Sequence, residues 1–250
     1  MKRGRRLASI VIIASLGLGS LVGCQTESGK AAFVGDTTIT EDRVSQVYDD
    51  AVAKTPQQEP GPEASGAPAP AAEPPVSRQE VVDLLVSLEL ARRVVKEKNM
   101  PAVAQPTVPA EIAEALRVGG DSEFVKLWAE WLDLQTVITE NTPRVQLTDE
   151  GVMKVYDALV KAGSGEPGAP QVIQPGLSVE QVREQFGAAV FAEAAILVST
   201  SLGAEAEATK TKVNPKYDPV AAPMAVGTQQ GPIFYNLPYL SSGVVTDVSL

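Results

Sequence analysis

Apolar residues recur at steps of three and four positions along much of this chain, which is the spacing of helices with one buried face. After Thr40, for example, Val44, Val47 and Ala51 fall on one side of a predicted helix that ends near Lys54. Similar patterns predict further helices that begin after Ser77, at Pro109, after Asp121, after Thr148 and after Ser178. The chain is therefore expected to be mainly α.

The starts of two predicted helices carry capping boxes, in which two side chains three residues apart satisfy free main-chain N–H groups. One box pairs Ser77 with Glu80, and the other pairs Ser178 with Gln181. The helix that follows Ser77 has the widest apolar arc, so we expect it to lie at the centre of the core.

Two short stretches have the character of β-strands. Ala32, Phe33 and Val34 are apolar, and a turn at Gly35-Asp36 follows them before apolar character returns at Ile39. Residues 209–213 alternate β-branched residues with lysines, a pattern typical of an edge strand.

Three segments are rich in proline or glycine and interrupt the helical pattern. Residues 55–76 contain seven prolines and are predicted to be an exposed insertion, either a solvated spacer or a docking site for a proline-recognising partner. Residues 163–177 are predicted to be a joint between two helices. Residues 218–250 are predicted to be a C-terminal tail that either drapes over the helices or stays loose.

The N-terminus has the layout of a secretory signal, with four basic residues followed by an apolar run from Leu7 to Val22. The run ends in Leu21-Val22-Gly23-Cys24, which resembles a bacterial lipobox. That resemblance implies cleavage of residues 1–23 and a diacylglyceryl group on Cys24, the only cysteine of the chain. The alternative is an ordinary signal peptide with an incidental cysteine, but lipidation explains the lone thiol better.

Charge restricts the partners that the exported protein can have. Removing residues 1–23 takes away four basic residues and no acidic residue, which changes the net charge from −10 to about −14. A chain this acidic is poorly suited to nucleic acid and is repelled by anionic lipid headgroups. Residues 24–31 form a short tether, so we expect the body to stay near the membrane through its lipid anchor.

The chain contains no histidine, which excludes nucleophile systems that rely on a histidine base and metal sites with histidine ligands. The acidic pairs Asp49-Asp50 and Asp149-Glu150 lie at predicted helix ends and are interpreted as solvated charges. No glycine-rich loop links a strand to a helix as phosphate sites require. We therefore expect neither catalysis nor a cofactor nor a bound metal.

Three motifs resemble the SurA and PrsA families of extracytoplasmic foldases. Residues 32–40 are similar to the strand "V-N-G-x-x-I-T" that opens the SurA-type chaperone domain, with Gly35-Asp36 in the turn and no Asn. Residues 145–156 resemble the "V-x-V-T-D-x-x-V-x-x-Y-Y" helix that leads into a parvulin prolyl isomerase domain. Residues 214–217 resemble the "V-N-P-R-Y-G" ending of actinobacterial SurA-like lipoproteins.

The resemblance covers most of residues 32–217 and implies one SurA-N-like helical domain of about five or six helices. It also implies a small strand pair that joins the two ends of this domain, with residues 209–213 beside Phe33-Val34. The parvulin domain and its paired histidines are missing, so prolyl isomerase activity is not expected.

By this resemblance the protein is a lipid-anchored, extracytoplasmic chaperone-like protein that binds unfolded or newly exported polypeptides in an apolar groove between helices. Candidate groove residues are Leu88, Trp128, Trp131 and Tyr156, although burial in the core is the favoured interpretation of each. The alternative is a non-catalytic envelope lipoprotein that acts as a scaffold through its proline-rich segment. Deleting residues 57–73 separates the two, because only a scaffold would lose its partner while still holding clients.

Overall fold

The computed structural model describes residues 29–56, 74–143, 147–163, 173–195, 201–228 and 231–240. Within these ranges the fold is mainly α, as the hydrophobic pattern predicts. The helices are α1 (Glu41–Ala53), α2 (Arg78–Glu97), α3 (Pro109–Leu116), α4 (Glu123–Asn141), α5 (Asp149–Gly163), α6 (Val179–Ala195) and α7 (Gly203–Ala208). The strands are β1 (Lys30–Val34), β2 (Thr37–Thr40), β3 (Lys212–Val213), β4 (Val220–Thr228) and β5 (Gly231–Leu240).

Both predicted capping boxes are present. The Ser77 hydroxyl accepts a hydrogen bond from the main-chain N–H of Glu80 at 3.2 Å, and the Glu80 carboxylate accepts one from the N–H of Ser77 at 2.6 Å. Ser178 and Gln181 make the same reciprocal pair at the start of α6. These contacts join residues only three apart, so the local sequence is enough to specify them.

Helix α4 begins one residue later than the sequence pattern predicts. Its N-cap is Ser122, whose hydroxyl accepts from the main-chain N–H of Val125, and not Asp121. The Asp121 carboxylate instead pairs with the Lys54 ammonium group at the end of α1, at 3.4 Å. Asp121, which local propensity assigns to the N-cap of α4, thus makes a tertiary ion pair instead.

A three-stranded sheet of order β2-β1-β3 joins the two ends of the helical domain. Strand β3 runs antiparallel to β1, with Ala32 opposite Val213 and Phe33 opposite Lys212. The predicted return of the C-terminal strand to β1 is therefore confirmed, but its partners are Ala32 and Phe33 instead of Phe33 and Val34, and β3 has two residues instead of five. It is short because the N–H groups of Thr209, Lys210 and Thr211 donate to main-chain carbonyls of α7, at 2.9, 3.1 and 2.9 Å.

Residues 220–228 and 231–240, which the composition assigns to a tail, form an antiparallel hairpin of β4 and β5. The hairpin packs on α2 through β4 and on α5 through β5. It tolerates three prolines because Pro223, Pro232 and Pro238 pair with Asn236, Gly227 and Ala221, in the same alternate set of pairs. At Ala221 the main-chain N–H and C=O both bond to side chains of α2, so residues in this set of pairs direct their N–H and C=O groups away from the partner strand. A proline in this set therefore costs no hydrogen bond between β4 and β5.

Helix α2 is the central element, as predicted. It contacts α1, α4, α7, β1 and β4, and its leucines at 84, 88 and 90 are fully buried. The three-stranded sheet lies at one side of α2, and the hairpin lies against another part of its surface. The hairpin therefore meets the helical domain where α2 and α4 pack together.

Candidate functional site

The four residues that the sequence nominates for a groove are all buried. Leu88 and Trp131 are 0 % exposed, Tyr156 is 2 % exposed and Trp128 is 6 % exposed. Trp128 and Trp131, on α4, lie beneath the hairpin, where the Trp128 ring meets the Phe234 ring edge to face at 5.2 Å. An open groove is thus not what this structure shows at these positions, because the chain itself covers them.

Tyr156 belongs to a different contact. Its hydroxyl donates to the Gln174 carbonyl and accepts from the main-chain N–H of Leu177 at 3.1 Å, while its ring packs against Phe186. These bonds attach the loop before α6 to α5. The structure therefore brings the two tryptophans together under the hairpin but leaves Tyr156 at the α5–α6 contact.

Three buried polar side chains hold the outer edge of β4. We call Asp83 and Ser87 of α2, with Trp131 of α4, the strand-binding face. Asp83 Oδ1 accepts from the N–H of Ala221 at 3.1 Å, and Ser87 Oγ donates to the Ala221 carbonyl at 3.4 Å. Trp131 Nε1 donates to the Pro223 carbonyl at 2.6 Å. Helical side chains thus satisfy the groups that a third strand would otherwise bond.

The row of contacts continues one helical turn toward the start of α2. Gln79 Nε2 donates to Asp83 Oδ1 at 2.8 Å, and it also lies 3.2 Å from the Tyr217 carbonyl and 3.3 Å from the Pro219 carbonyl. Gln79, Asp83 and Ser87 are spaced four residues apart, so they lie along one side of the helix. This side of α2 follows the main chain from residue 217 to residue 221.

Burial gives Asp83 an unusual protonation equilibrium. The residue is 2 % exposed, and burial raises the pKa of its carboxyl to about 7, against hydrogen bonds from Ala221 and Gln79 that favour the charged form. The nearby Glu80 carboxylate adds to the increase in this pKa. Both hydrogen-bond donors are neutral amides, so the carboxyl has no cation among these partners to offset its desolvation.

The hairpin contributes its own polar contact to the site. The Tyr239 hydroxyl of β5 lies 3.1 Å from Ser87 Oγ. Burial raises the pKa of Tyr239 well above its usual value, so the phenol stays neutral. Ser87 has one hydroxyl proton, and when this proton goes to the Ala221 carbonyl the Tyr239 hydroxyl is the donor to Ser87 Oγ. These two bonds make a continuous chain from β5 through α2 to β4.

Sequence reasoning missed Asp83, Ser87 and the hairpin. A usable signal was present, because Asp83 and Ser87 are polar residues four positions apart inside the apolar arc of a helix predicted to be central. Such residues need buried partners. Their partner, Ala221, lies 138 and 134 positions further along the chain, and no local pattern could have identified it.

Comparisons with protein-family models, with curated proteins and with solved structures find no match for this chain. Within the described ranges, no helix is long and apolar enough to cross a membrane. In the same part of the chain, no group of three or more acidic or cysteine side chains is arranged to hold a metal ion. The fold and the face together define a mainly α domain that holds an extended strand by its main chain.

Proposed function

We propose that this protein is a lipid-anchored, extracytoplasmic chaperone-like protein that binds unfolded or newly exported polypeptides without prolyl isomerase activity. The observation that carries this proposal is the strand-binding face. Its side chains bond the N–H and C=O of Ala221 and the C=O of Pro223, which are groups that every polypeptide offers. Recognition of an extended main chain is a recurring mode of peptide binding.

The surroundings of the face supply apolar contact beside the polar one. Trp128 and Trp131 form part of its floor, and buried Ala222 and Met224 of the bound strand belong to the same core. Burial of apolar area contributes about 25 cal/mol per Å², so contact with this floor would stabilise a bound client through many different apolar side chains. Main-chain bonds and a broad apolar floor together suit a protein that holds varied clients.

The proposed anchor places this activity at the cell envelope. Cys24 lies outside the described residues, and β1 begins at Lys30, six residues after it. Six residues span at most about 20 Å when fully extended. A lipid on Cys24 would therefore keep the domain close to the membrane surface, where exported segments emerge.

The test is client holding by the soluble form that starts after Cys24. A chemically unfolded client is diluted into buffer, and light scattering follows its aggregation with and without the protein. We expect suppression at near-equimolar ratio, weakened by Trp131→Phe, which removes the indole N–H while keeping an aromatic ring. Val108→Ala is the matched control, because Val108 is an exposed apolar side chain outside the face. No suppression across several clients would contradict the proposed function.

A further inference from the structure

The polar contacts of the hairpin with α2 and α4 lie along one edge of β4. The hairpin is a two-stranded sheet of β4 and β5, so β4 has one edge that β5 does not bond. Along that edge the strand-binding face bonds Ala221 twice and Pro223 once. The face therefore holds β4 as a binding site holds a peptide, by its main chain and at alternate residues.

The spacing of these contacts defines the segment that fits. Residue 221 uses both its N–H and its C=O, so proline is excluded there. The Ala221 side chain is buried, and a larger side chain there would have to displace packed atoms, which favours a small residue. Residue 223 offers only its C=O to Trp131, so a proline fits without loss of a hydrogen bond. Residues 222 and 224 are buried in the apolar core.

The hairpin lies at the end of the described chain order and is held mainly by α2 and α5. It is the last element in the chain order that the structure describes, so its release does not unthread any other described element. Its attachments beyond β4 include the Tyr239 hydroxyl on Ser87 and the Phe234 ring on Trp128. A released two-stranded hairpin is at best marginally stable in water, so release also opens its ladder.

We propose that the β4–β5 hairpin occupies the strand-binding face in cis and is displaced by extended segments of other polypeptides. The segments that fit carry a small residue followed two positions later by a proline. This inference rests on the proposed function and names its substrate class and its regulation. The closed hairpin keeps the apolar floor covered until a competing strand takes its place. The apparent affinity for clients is then the intrinsic affinity of the open face multiplied by the fraction of molecules in which the hairpin is released.

The experiment uses the full chain from Gln25 onward and a fluorescent peptide with the sequence of residues 219–226. Fluorescence anisotropy measures peptide binding, and hydrogen exchange follows the amides of β4 and β5. We expect binding together with faster exchange in the hairpin. The matched control peptide replaces the residue equivalent to Ala221 with proline, which removes the N–H that donates to Asp83, and it should bind at least tenfold more weakly.

Substitutions in the hairpin test whether it competes with the peptide, and they leave Asp83, Ser87 and Trp131 of the strand-binding face in place. Tyr239→Phe removes one attachment of the hairpin, so peptide affinity should rise about fivefold, in line with a hydrogen bond of about 1 kcal/mol. Phe234→Ala removes the ring contact with Trp128 and should raise the affinity further. Circular dichroism checks that both variants keep the helical fold. A purely structural hairpin would give variants that are less stable but bind the peptide no better.

The outcomes separate this inference from the proposed function. Peptide binding without faster hairpin exchange, or without a gain in Tyr239→Phe, would overturn cis occupancy. Absence of peptide binding in all variants, with client holding intact, would also overturn it and would leave the proposed function standing. Loss of both peptide binding and client holding would overturn both.

Discussion

Trp131 Nε1 on α4 donates a 2.6 Å hydrogen bond to the main-chain carbonyl of Pro223, which lies 92 residues further along the chain. The indole is fully buried, and its bond sets the position of β4 on the helices. Together with Asp83 and Ser87, it turns an apolar helical face into a site that holds an extended strand.

We expect Trp131→Phe to lower the free energy of unfolding by about 1–3 kcal/mol, because the substitution leaves the Pro223 carbonyl buried without its donor. It also removes buried ring volume. Urea denaturation followed by circular dichroism measures the change. Trp128→Phe is the comparison, because it removes the same ring volume at a residue that packs edge to face on Phe234. Equal losses in the two variants would show that the hydrogen bond contributes little.

Asp83 should make the protein less stable as the pH rises from about 4 to about 7. Its pKa is about 7 in the folded state and near the usual 3.8 in the unfolded chain. Over this range the unfolded chain has released the proton and the folded protein still binds it. A rise in pH therefore stabilises the unfolded chain, in which Asp83 ionises, relative to the folded protein. The free energy of unfolding falls by at most about 4 kcal/mol.

Asp83→Asn removes this pH dependence while keeping an oxygen that can accept from Ala221. We expect the variant and the parent protein to unfold with similar free energies near pH 4, and the variant to be the more stable one above pH 7. Thermal or urea unfolding across this pH range gives both curves. Parallel curves for the two proteins would contradict a raised pKa at Asp83.

A disulfide should form between cysteines placed at Ala32 and Val213. These residues are directly opposite in the β1–β3 pair, and the neighbouring pair is hydrogen-bonded through the Asn214 N–H and the Ala31 carbonyl at 2.9 Å. Residues 32 and 213 thus form a non-hydrogen-bonded pair, whose Cα atoms are close enough for a disulfide. Oxidation of the form that starts after Cys24 should give a species of altered mobility on a non-reducing gel.

Cysteines at Phe33 and Val213 provide the negative control for this cross-link. Residues one position apart along a strand point to opposite faces, so this pair should stay reduced under the same conditions. Cross-linking of both pairs, or of neither, would show that β3 does not hold this register in solution.

Gly35→Ala should destabilise the turn between β1 and β2 by about 1–2 kcal/mol, because Gly35 has a φ of +59° that an alanine adopts with strain. A Cβ at this position would also lie 3.1 Å from Nη1 of Arg93, which is paired with Asp36 and Glu89. Gly176→Ala is the matched control, since Gly176 has a φ of +80° and a Cβ there would meet nothing within 4 Å beyond its chain neighbours. Thermal unfolding should show the larger loss for Gly35→Ala.

The local parts of the fold were predictable from the sequence. Ser77 with Glu80 and Ser178 with Gln181 identified the starts of α2 and α6, because each capping box joins residues three apart. The apolar arc of α2 identified it as the central helix, because helical periodicity is a property of the local sequence. The pairing of β3 with β1 was predicted only through the resemblance to a family, since nothing local links residues 32 and 213.

The helical class, the capped starts of α2 and α6 and the central place of α2 follow from the sequence alone, because they depend on interactions within a few residues. The β4–β5 hairpin, and the hydrogen bonds of Asp83, Ser87 and Trp131 to its edge, are determined only by the tertiary structure. Buried polar groups must find partners wherever folding brings them. Here those partners are main-chain groups 92 to 138 residues away, and main-chain groups carry no sequence signal.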